Sequence, residues 1–267
     1  LKDQKTSKHS PIGIFDSGVG GLTVFREIRK VLPNEDLIYL GDTARVPYGS
    51  KSKDVIKRYS KQNAEFLLSK NVSMIVVACN TASAVSVQYL RELFPEINIV
   101  GVIEPVVDYI KMLSVKKIAV LGTNTTIESG AYQKALLEKK DFEIFSQPCP
   151  LFVPLVEEGL FNEPITLVAI EMYLSELKKA NMDAVILGCT HYPMMKKQIK
   201  KYFGERTLVF DTAYHTALRV AGLRKERGKI SLDQKGNEVF YVTDSVASFK
   251  KTAEMFLGYG ISNIHHI

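Results

Sequence analysis

Ser73-Met74-Ile75-Val76-Val77-Ala78-Cys79-Asn80-Thr81 and Ala184-Val185-Ile186-Leu187-Gly188-Cys189-Thr190-His191 decide how this chain folds. Each is a short run rich in Val and Ile that ends at a thiol, and small hydroxyl or amide residues follow. A short, continuous apolar run of this kind reads as a strand buried on both faces, the strand type of a parallel sheet. Open α/β sheets bind their ligands at the carboxyl ends of their strands. Two thiols at two such ends therefore predict one ligand position with a sulfur on either side.

Outward from these two runs the pattern repeats. Further strands are predicted at Ile12 to Phe15, Leu37 to Leu40, Ile97 to Val100, Ile118 to Leu121, Phe142 to Phe145 and Leu208 to Phe210. Amphipathic helical stretches separate most of them, as through Val24 to Ile28 and Ile165 to Lys179. Alternation of this kind predicts βαβ units, a parallel sheet with helices over both faces.

An internal echo divides the chain. Ile12-Gly13-Ile14-Phe15-Asp16-Ser17-Gly18 matches Ile118-Ala119-Val120-Leu121-Gly122-Thr123-Asn124 in pattern, 106 residues on, and Cys79 and Cys189 lie 110 residues apart. Nearly equal offsets predict a duplicated α/β unit that contributes one cysteine per copy. Two such halves facing each other would carry the thiols on opposite walls of one cleft.

Composition narrows the function classes. The chain is 46% hydrophobic and 24% charged, ordinary for a globular enzyme. The net charge of +6 comes from lysines scattered through helical stretches such as Lys51 to Arg58 and Met195 to Lys201, which read as solvated faces. No nucleic-acid motif accompanies them, so no nucleic-acid partner is expected. No apolar run is long enough to span a bilayer, and no membrane role is expected. An odd count of three cysteines, without a signal-peptide pattern, predicts free thiols in a reducing cytoplasm. The polar stretch Lys2 to Ser10 reads as a disordered arm.

By default a strand-end cysteine is a small buried apolar side chain. Two features set Cys79 and Cys189 apart. The polar residues after each, Asn80-Thr81 and Thr190-His191, need partners that a dry core lacks. Each thiol also precedes a predicted helix, whose first amides favour a thiolate or a bound carboxylate. Cys149, between two prolines, lacks these features and reads as structural. Cys189-Thr190-His191 offers sulfur and nitrogen donors, yet the spacings typical of zinc sites are missing, and no metal is expected. A Cys-His pair for acyl transfer would leave the second strand-end thiol without a role.

Paired thiols on opposite faces of a carbon suit proton exchange with inversion. One thiolate removes the α-proton and the other, as a thiol, protonates the far side. Each sulfur must come within about 3.5 Å of the carbon, roughly 7 Å from the other. Asp16 and His191 are the candidate relay and orienting groups, and Glu157 is placed to orient His191.

Five motifs, in order, carry a resemblance that covers nearly the whole chain. They are Phe15-Asp16-Ser17-Gly18-Val19-Gly20-Gly21-Leu22, Gly41 to Gly49, Ala78 to Ser83, Cys149 to Gly159 and Leu187 to Pro193. Together they resemble the glutamate racemase family, within the aspartate/glutamate racemase superfamily. The resemblance implies cofactor-independent interconversion of L- and D-glutamate, supplying D-glutamate for bacterial peptidoglycan, by a homodimer. It implies that Cys79 works on the D-enantiomer with help from Asp16, and Cys189 on the L-enantiomer with help from Glu157 and His191. Substrate contacts fall on Asp16, Ser17, Tyr48, Gly49, Asn80, Thr81, Thr190 and His191. The implied fold is two pseudo-symmetric α/β domains with the site in the cleft between them, one spanning 1–98 plus 211–267 and the other 99–210. Departures from the family pattern, Val106 after Gly101 to Pro105 and Asp211-Thr212-Ala213, lie away from the thiols.

Simpler readings stand beside these. Gly18, Gly20 and Gly21 shape a strand-to-helix turn, since no Lys-Ser/Thr follows to make a phosphate loop. Pro47 and Tyr48 form a turn, and Asp42 serves its own loop. Two other functions stay open: racemisation of aspartate or a hydantoin, against which Thr190-His191 and the Tyr48-Gly49 loop favour glutamate, and a binding protein that closes on an amino acid without chemistry, against which the two strand-end thiols argue, since a pure binder has no need of them.

Overall fold

The computed structural model describes residues 10–138, 141–226 and 235–267. Apart from Ser10, the expected amino-terminal arm lies outside the described residues. The strands among them are β1 Ile12–Asp16, β2 Leu37–Gly41, β3 Met74–Val77, β4 Asn98–Gly101, β5 Lys117–Gly122, β6 Glu143–Pro148, β7 Ala184–Gly188, β8 Leu208–Asp211, β9 Glu238–Val242 and β10 Ile264–His266. They form two sheets, in the orders β10-β9-β2-β1-β3-β4 and β6-β5-β7-β8, and every pairing is parallel.

The repeated order β2-β1-β3-β4 and β6-β5-β7-β8 is the duplication expected from the echo. β1 corresponds to β5, and the strand leading to Cys79 corresponds to the strand leading to Cys189. The strand order reverses between β1 and β3 in one sheet and between β5 and β7 in the other. Such reversals open a crevice at the carboxyl ends. Both thiols sit at these reversals. β9 and β10 were not anticipated. Glu238-Val239-Phe240-Tyr241-Val242 is only half buried, and β10 is three residues long with two exposed. β10 is an edge strand too short to leave a sequence signal, whereas β9 is an inner strand between β2 and β10 whose apolar run Val239-Phe240-Tyr241-Val242 is missing from the strands predicted above.

Period-2 alternation explains the layers. Met74 and Val76 of β3 point into a core layer shared with Phe25, Ala217 and Phe256, while Ile75 and Val77 point the opposite way, against Ile56 and Leu90. In the second sheet Ala119, Leu121, Val185 and Leu187 face the same shared layer, and Ile118, Val120 and Ile186 face a separate one with Val106 and Leu136. One apolar core thus runs from the first sheet into the second. Each fully buried Leu or Ile in it contributes about 1.5–3 kcal/mol. The shared layer holds the two strand-end crevices against each other.

Candidate active site

A cavity of about 350 Å³ opens where the two crevices meet. It is built from three matched pairs of loops. Ser17 and Gly18 after β1 face Thr123 and Asn124 after β5. Val46 to Ser50 after β2 face Pro150, Val153, Pro154 and Glu157 after β6. Cys79, Asn80 and Thr81 after β3 face Cys189, Thr190 and His191 after β7. None of these lining residues is a lysine or arginine. A larger hollow of about 560 Å³ runs along edge strand β4, but it holds neither thiol. Its arginines are already paired, Arg91 with Glu104 and Arg219 with Asp108.

On one wall, Cys79 caps the helix Asn80–Leu93. Its thiol donates to Ser17 Oγ at 3.6 Å. Burial, and then the negative charge of Asp16, push the Cys79 thiol up to about 12, so it holds its proton at neutral pH. Asp16 lies behind the lining, fully buried. Its Oδ2 accepts from the Gly18 N–H at 2.9 Å, and Oδ1 has no hydrogen-bond partner. Burial raises the pKa of this carboxyl; the His191 charge and the N–H groups of Gly18 and Gly21 temper the rise. A thiol and a carboxyl of raised pKa therefore lie side by side, as a relay requires.

The opposite wall is built differently. Cys189 Sγ lies 3.8 Å from His191 Nδ1, and His191 Nε2 lies 2.9 Å from Glu157 Oε1. Burial opposes a charge on His191, but the hydrogen bonds to Cys189 and Glu157, and their charges, outweigh it and hold the imidazole up at about 10. At neutral pH His191 thus carries both protons, with Nε2–H on the carboxylate and Nδ1–H toward the sulfur. The Phe256 ring meets the imidazole edge-on at 5.5 Å. The expected helix after Cys189 is delayed. Tyr192–Met195 forms a 3₁₀ turn, and the α-helix starts at Lys196. Pro193 supplies no N–H and restricts the residue before it, which favours the tighter turn.

Gly20 does more than turn the chain. A Cβ there would lie 2.4 Å from Thr190 Oγ1 and 2.5 Å from two atoms of the His191 ring. The first half therefore seats the second half's histidine against bare backbone, and Thr23 Oγ1 donates to the Thr190 carbonyl at 3.0 Å beside it. Cys149 remains structural in its contacts: it is fully buried, and its carbonyl accepts from the Tyr192 hydroxyl at 2.8 Å.

The loop Val46 to Ser50 is held from behind. The Tyr48 hydroxyl donates to Asp42 and accepts from Asn63 Nδ2 at 3.2 Å. Asp42, fully buried, also accepts from Arg45 Nε at 2.8 Å and Thr243 Oγ1 at 3.1 Å. With its hydroxyl engaged there, Tyr48 anchors the loop, and Asp42 is the node that anchors Tyr48. Gly49 meets Thr123 so closely that a Cβ would lie 2.7 Å from the threonine's own, and Thr125 Oγ1 donates to the Gly49 carbonyl at 2.8 Å. Thr123, whose hydroxyl lies 2.9 Å from that of Thr81, was not singled out as a site residue, nor was Asn124. The echo of Asp16-Ser17-Gly18 in Gly122-Thr123-Asn124 carried the signal. Among the described residues, no group of three or more His, Cys, Asp or Glu side chains is arranged to hold a metal ion.

Comparison with known proteins accords with this geometry. Residues 12–217 match the Asp/Glu/Hydantoin racemase family. The chain is 45% identical over 255 residues to a glutamate racemase of Persephonella marina, covering 95% of each protein. Its structure is similar to that of glutamate racemase isoform RacE1 from Bacillus anthracis, with a TM-score of 0.93, 38% identity and 98% of each chain covered. It is equally close to a Francisella tularensis glutamate racemase solved in complex with D-glutamate, with a TM-score of 0.92, 36% identity and 98% of each chain covered.

Proposed function

This chain belongs to the Asp/Glu/Hydantoin racemase family, and from that premise we propose that it interconverts L- and D-glutamate by passing the α-proton between Cys79 and Cys189, without a cofactor. The observation that carries this reading is that one cavity holds both thiols at matched strand ends, each with its own acid–base partner.

In the L-to-D direction Cys189, as thiolate, takes the α-proton, forming an S–H bond as the C–H bond breaks and leaving the electron pair on the α-carbon. The Cys79 thiol delivers its proton to the opposite face, and the configuration inverts. The raised pKa of Cys79 keeps its proton in place at neutral pH, so the thiol is in the form that can protonate the far face of the carbanion, whose basicity drives the transfer. In the D-to-L direction Cys79 must first lose that proton, and Asp16 beside it is the acceptor. His191, protonated and hydrogen-bonded to Glu157, balances negative charge on the Cys189 sulfur, both as the base of one direction and as the thiolate left when the Cys189 thiol gives up its proton in the other.

The substrate carries two carboxylates into a cavity lined without lysine or arginine. Ser17, Thr81, Thr190 and the first amides of the helix Asn80–Leu93 are the donors to meet them, as helix N-termini meet anions elsewhere. Asp16, Tyr48 and Gly49 complete the set, Asp16 through the backbone it orders and Tyr48 and Gly49 through the loop that they shape. We place the product in bacterial cell-wall peptidoglycan synthesis, the chain in the cytoplasm, and the working unit as a homodimer, which sedimentation velocity would test. The domains are assigned to 1–98 plus 211–267 and to 99–210.

The test is α-proton exchange in D₂O followed by NMR and circular dichroism, with L- and D-glutamate as separate substrates and no cofactor added. Inversion with deuterium incorporation, abolished in Cys79→Ser and in Cys189→Ser, is the expected result. Glutamate binding without exchange would leave a binding protein, and exchange with aspartate alone would redirect the substrate.

A further inference from the structure

The geometry points to Tyr132 as a positioning residue that fixes which way Asn80 faces the substrate, an inference that rests on the racemase reading above. Tyr132 lies in the helix Ala131–Leu137 of the second half and is 1% exposed. Its hydroxyl donates across the cleft to Asn80 Oδ1 at 2.7 Å. Asn80 follows Cys79 directly, lines the cavity, and is 2% exposed. An amide whose oxygen accepts the tyrosine proton must turn its NH₂ the other way, and Asn80 Nδ2 has no hydrogen-bond partner.

A buried donor left unmade is costly, so a ligand is the natural partner. In a cavity without lysine or arginine, a carboxylate oxygen is the acceptor that fits. The reversed amide would put its NH₂ against the phenol oxygen and leave the hydroxyl hydrogen facing the core. Tyr132 therefore selects one orientation, with the donor toward the substrate. Room for its ring comes from Gly188, where a Cβ would lie 3.1 Å from the ring and 2.7 Å from the Leu121 carbonyl. The residue before one thiol thus admits the tyrosine that orients the residue after the other. Neither Tyr132 nor Gly188 is assigned any role by the motifs.

The test is Tyr132→Phe in the full-length chain, alone and combined with Asn80→Ala, with kcat and KM measured for both enantiomers of glutamate. Loss of one oriented donor to a charged group should raise KM about tenfold and change kcat less than about twofold. In the Asn80→Ala background the same substitution should change nothing further, because the tyrosine acts through Asn80. A KM that stays at the wild-type value, a loss confined to kcat, or an equal further rise in the Asn80→Ala background would overturn the inference. If the Phe variant fails to fold, Tyr132→Met, similar in bulk and without the hydroxyl, takes its place and is read in the same way. A tenfold rise in KM then supports the assignment and an unchanged KM ends it. Wild-type protein that does not racemise glutamate would instead refute the function itself, so the two failures are separable.

Discussion

At the residue scale, two cysteines of one chemistry are given opposite surroundings. Cys79 lies beside a carboxyl, which together with burial keeps the thiol protonated. Cys189 lies beside an imidazole held up at about 10 by its hydrogen bonds and by the charges of Cys189 and Glu157. The sign of a change at Glu157 follows. Removing its negative charge lowers the His191 pKa, so the proton is lost at lower pH. In Glu157→Gln we expect the alkaline limb of kcat/KM to move toward neutrality by about one pH unit. Because the two enantiomers have equal free energy, the ratio of their kcat/KM values stays at one, and the limb must move equally for both. A pH–rate profile in both directions checks this; an unmoved limb would remove Glu157 from the relay.

Among the elements that build the site, the turn between β1 and the helix Leu22–Val31 makes a strict steric demand. Its Gly20 faces Thr190 and His191 at distances that leave no space for a methyl group. Gly20→Ala must push the imidazole from its line between Cys189 and Glu157, or move the turn away from the second half. Overpacking of this kind costs about 1–3 kcal/mol. Misplacing a catalytic group by about 1 Å lowers rate by about 10²-fold. We expect both, read by thermal melting and by kcat, with the loss in kcat exceeding that from any comparable substitution at Gly222, where a Cβ meets nothing within 4 Å. Unchanged kcat in Gly20→Ala would mean that the turn yields without disturbing His191.

Across the whole molecule, the carboxy-terminal segment returns to the first sheet and is pinned there by Arg29. This largely buried guanidinium binds Glu238 Oε1 at 2.7 Å and the carbonyls of Pro33, Glu35 and Asn237 at 2.9, 2.7 and 3.0 Å. Arg29→Ala removes the cation that Glu238 pairs with and one donor from each of three carbonyls, two of which, Pro33 and Asn237, keep a backbone N–H; removing one partner of a buried pair costs about 3–5 kcal/mol. The cost falls on the seating of β9, far from the thiols. We expect the urea midpoint to drop while kcat stays near wild type under native conditions. A variant of wild-type stability would show that the returning segment is held by its strand pairing and apolar contacts without Arg29.

The parallel α/β architecture was determined by the sequence alone, because buried central strands must be apolar on both faces and therefore announce themselves as runs such as Met74 to Ala78 and Ala184 to Leu187. The strand-end thiols and the equal spacing of the two copies were legible for the same local reason. Edge strand β10 was not, since three residues with two exposed carry no apolar signal; the inner strand β9 left one in Val239-Phe240-Tyr241-Val242 that the predicted strands do not include. Tertiary structure alone decided the pairings across the cleft, Tyr132 with Asn80, Gly20 with His191 and Gly49 with Thr123, and the pairing of Asp42 with Thr243 within the first half. These contacts join residues distant in sequence, and their chemistry depends on distance and direction, which no local run of residues encodes.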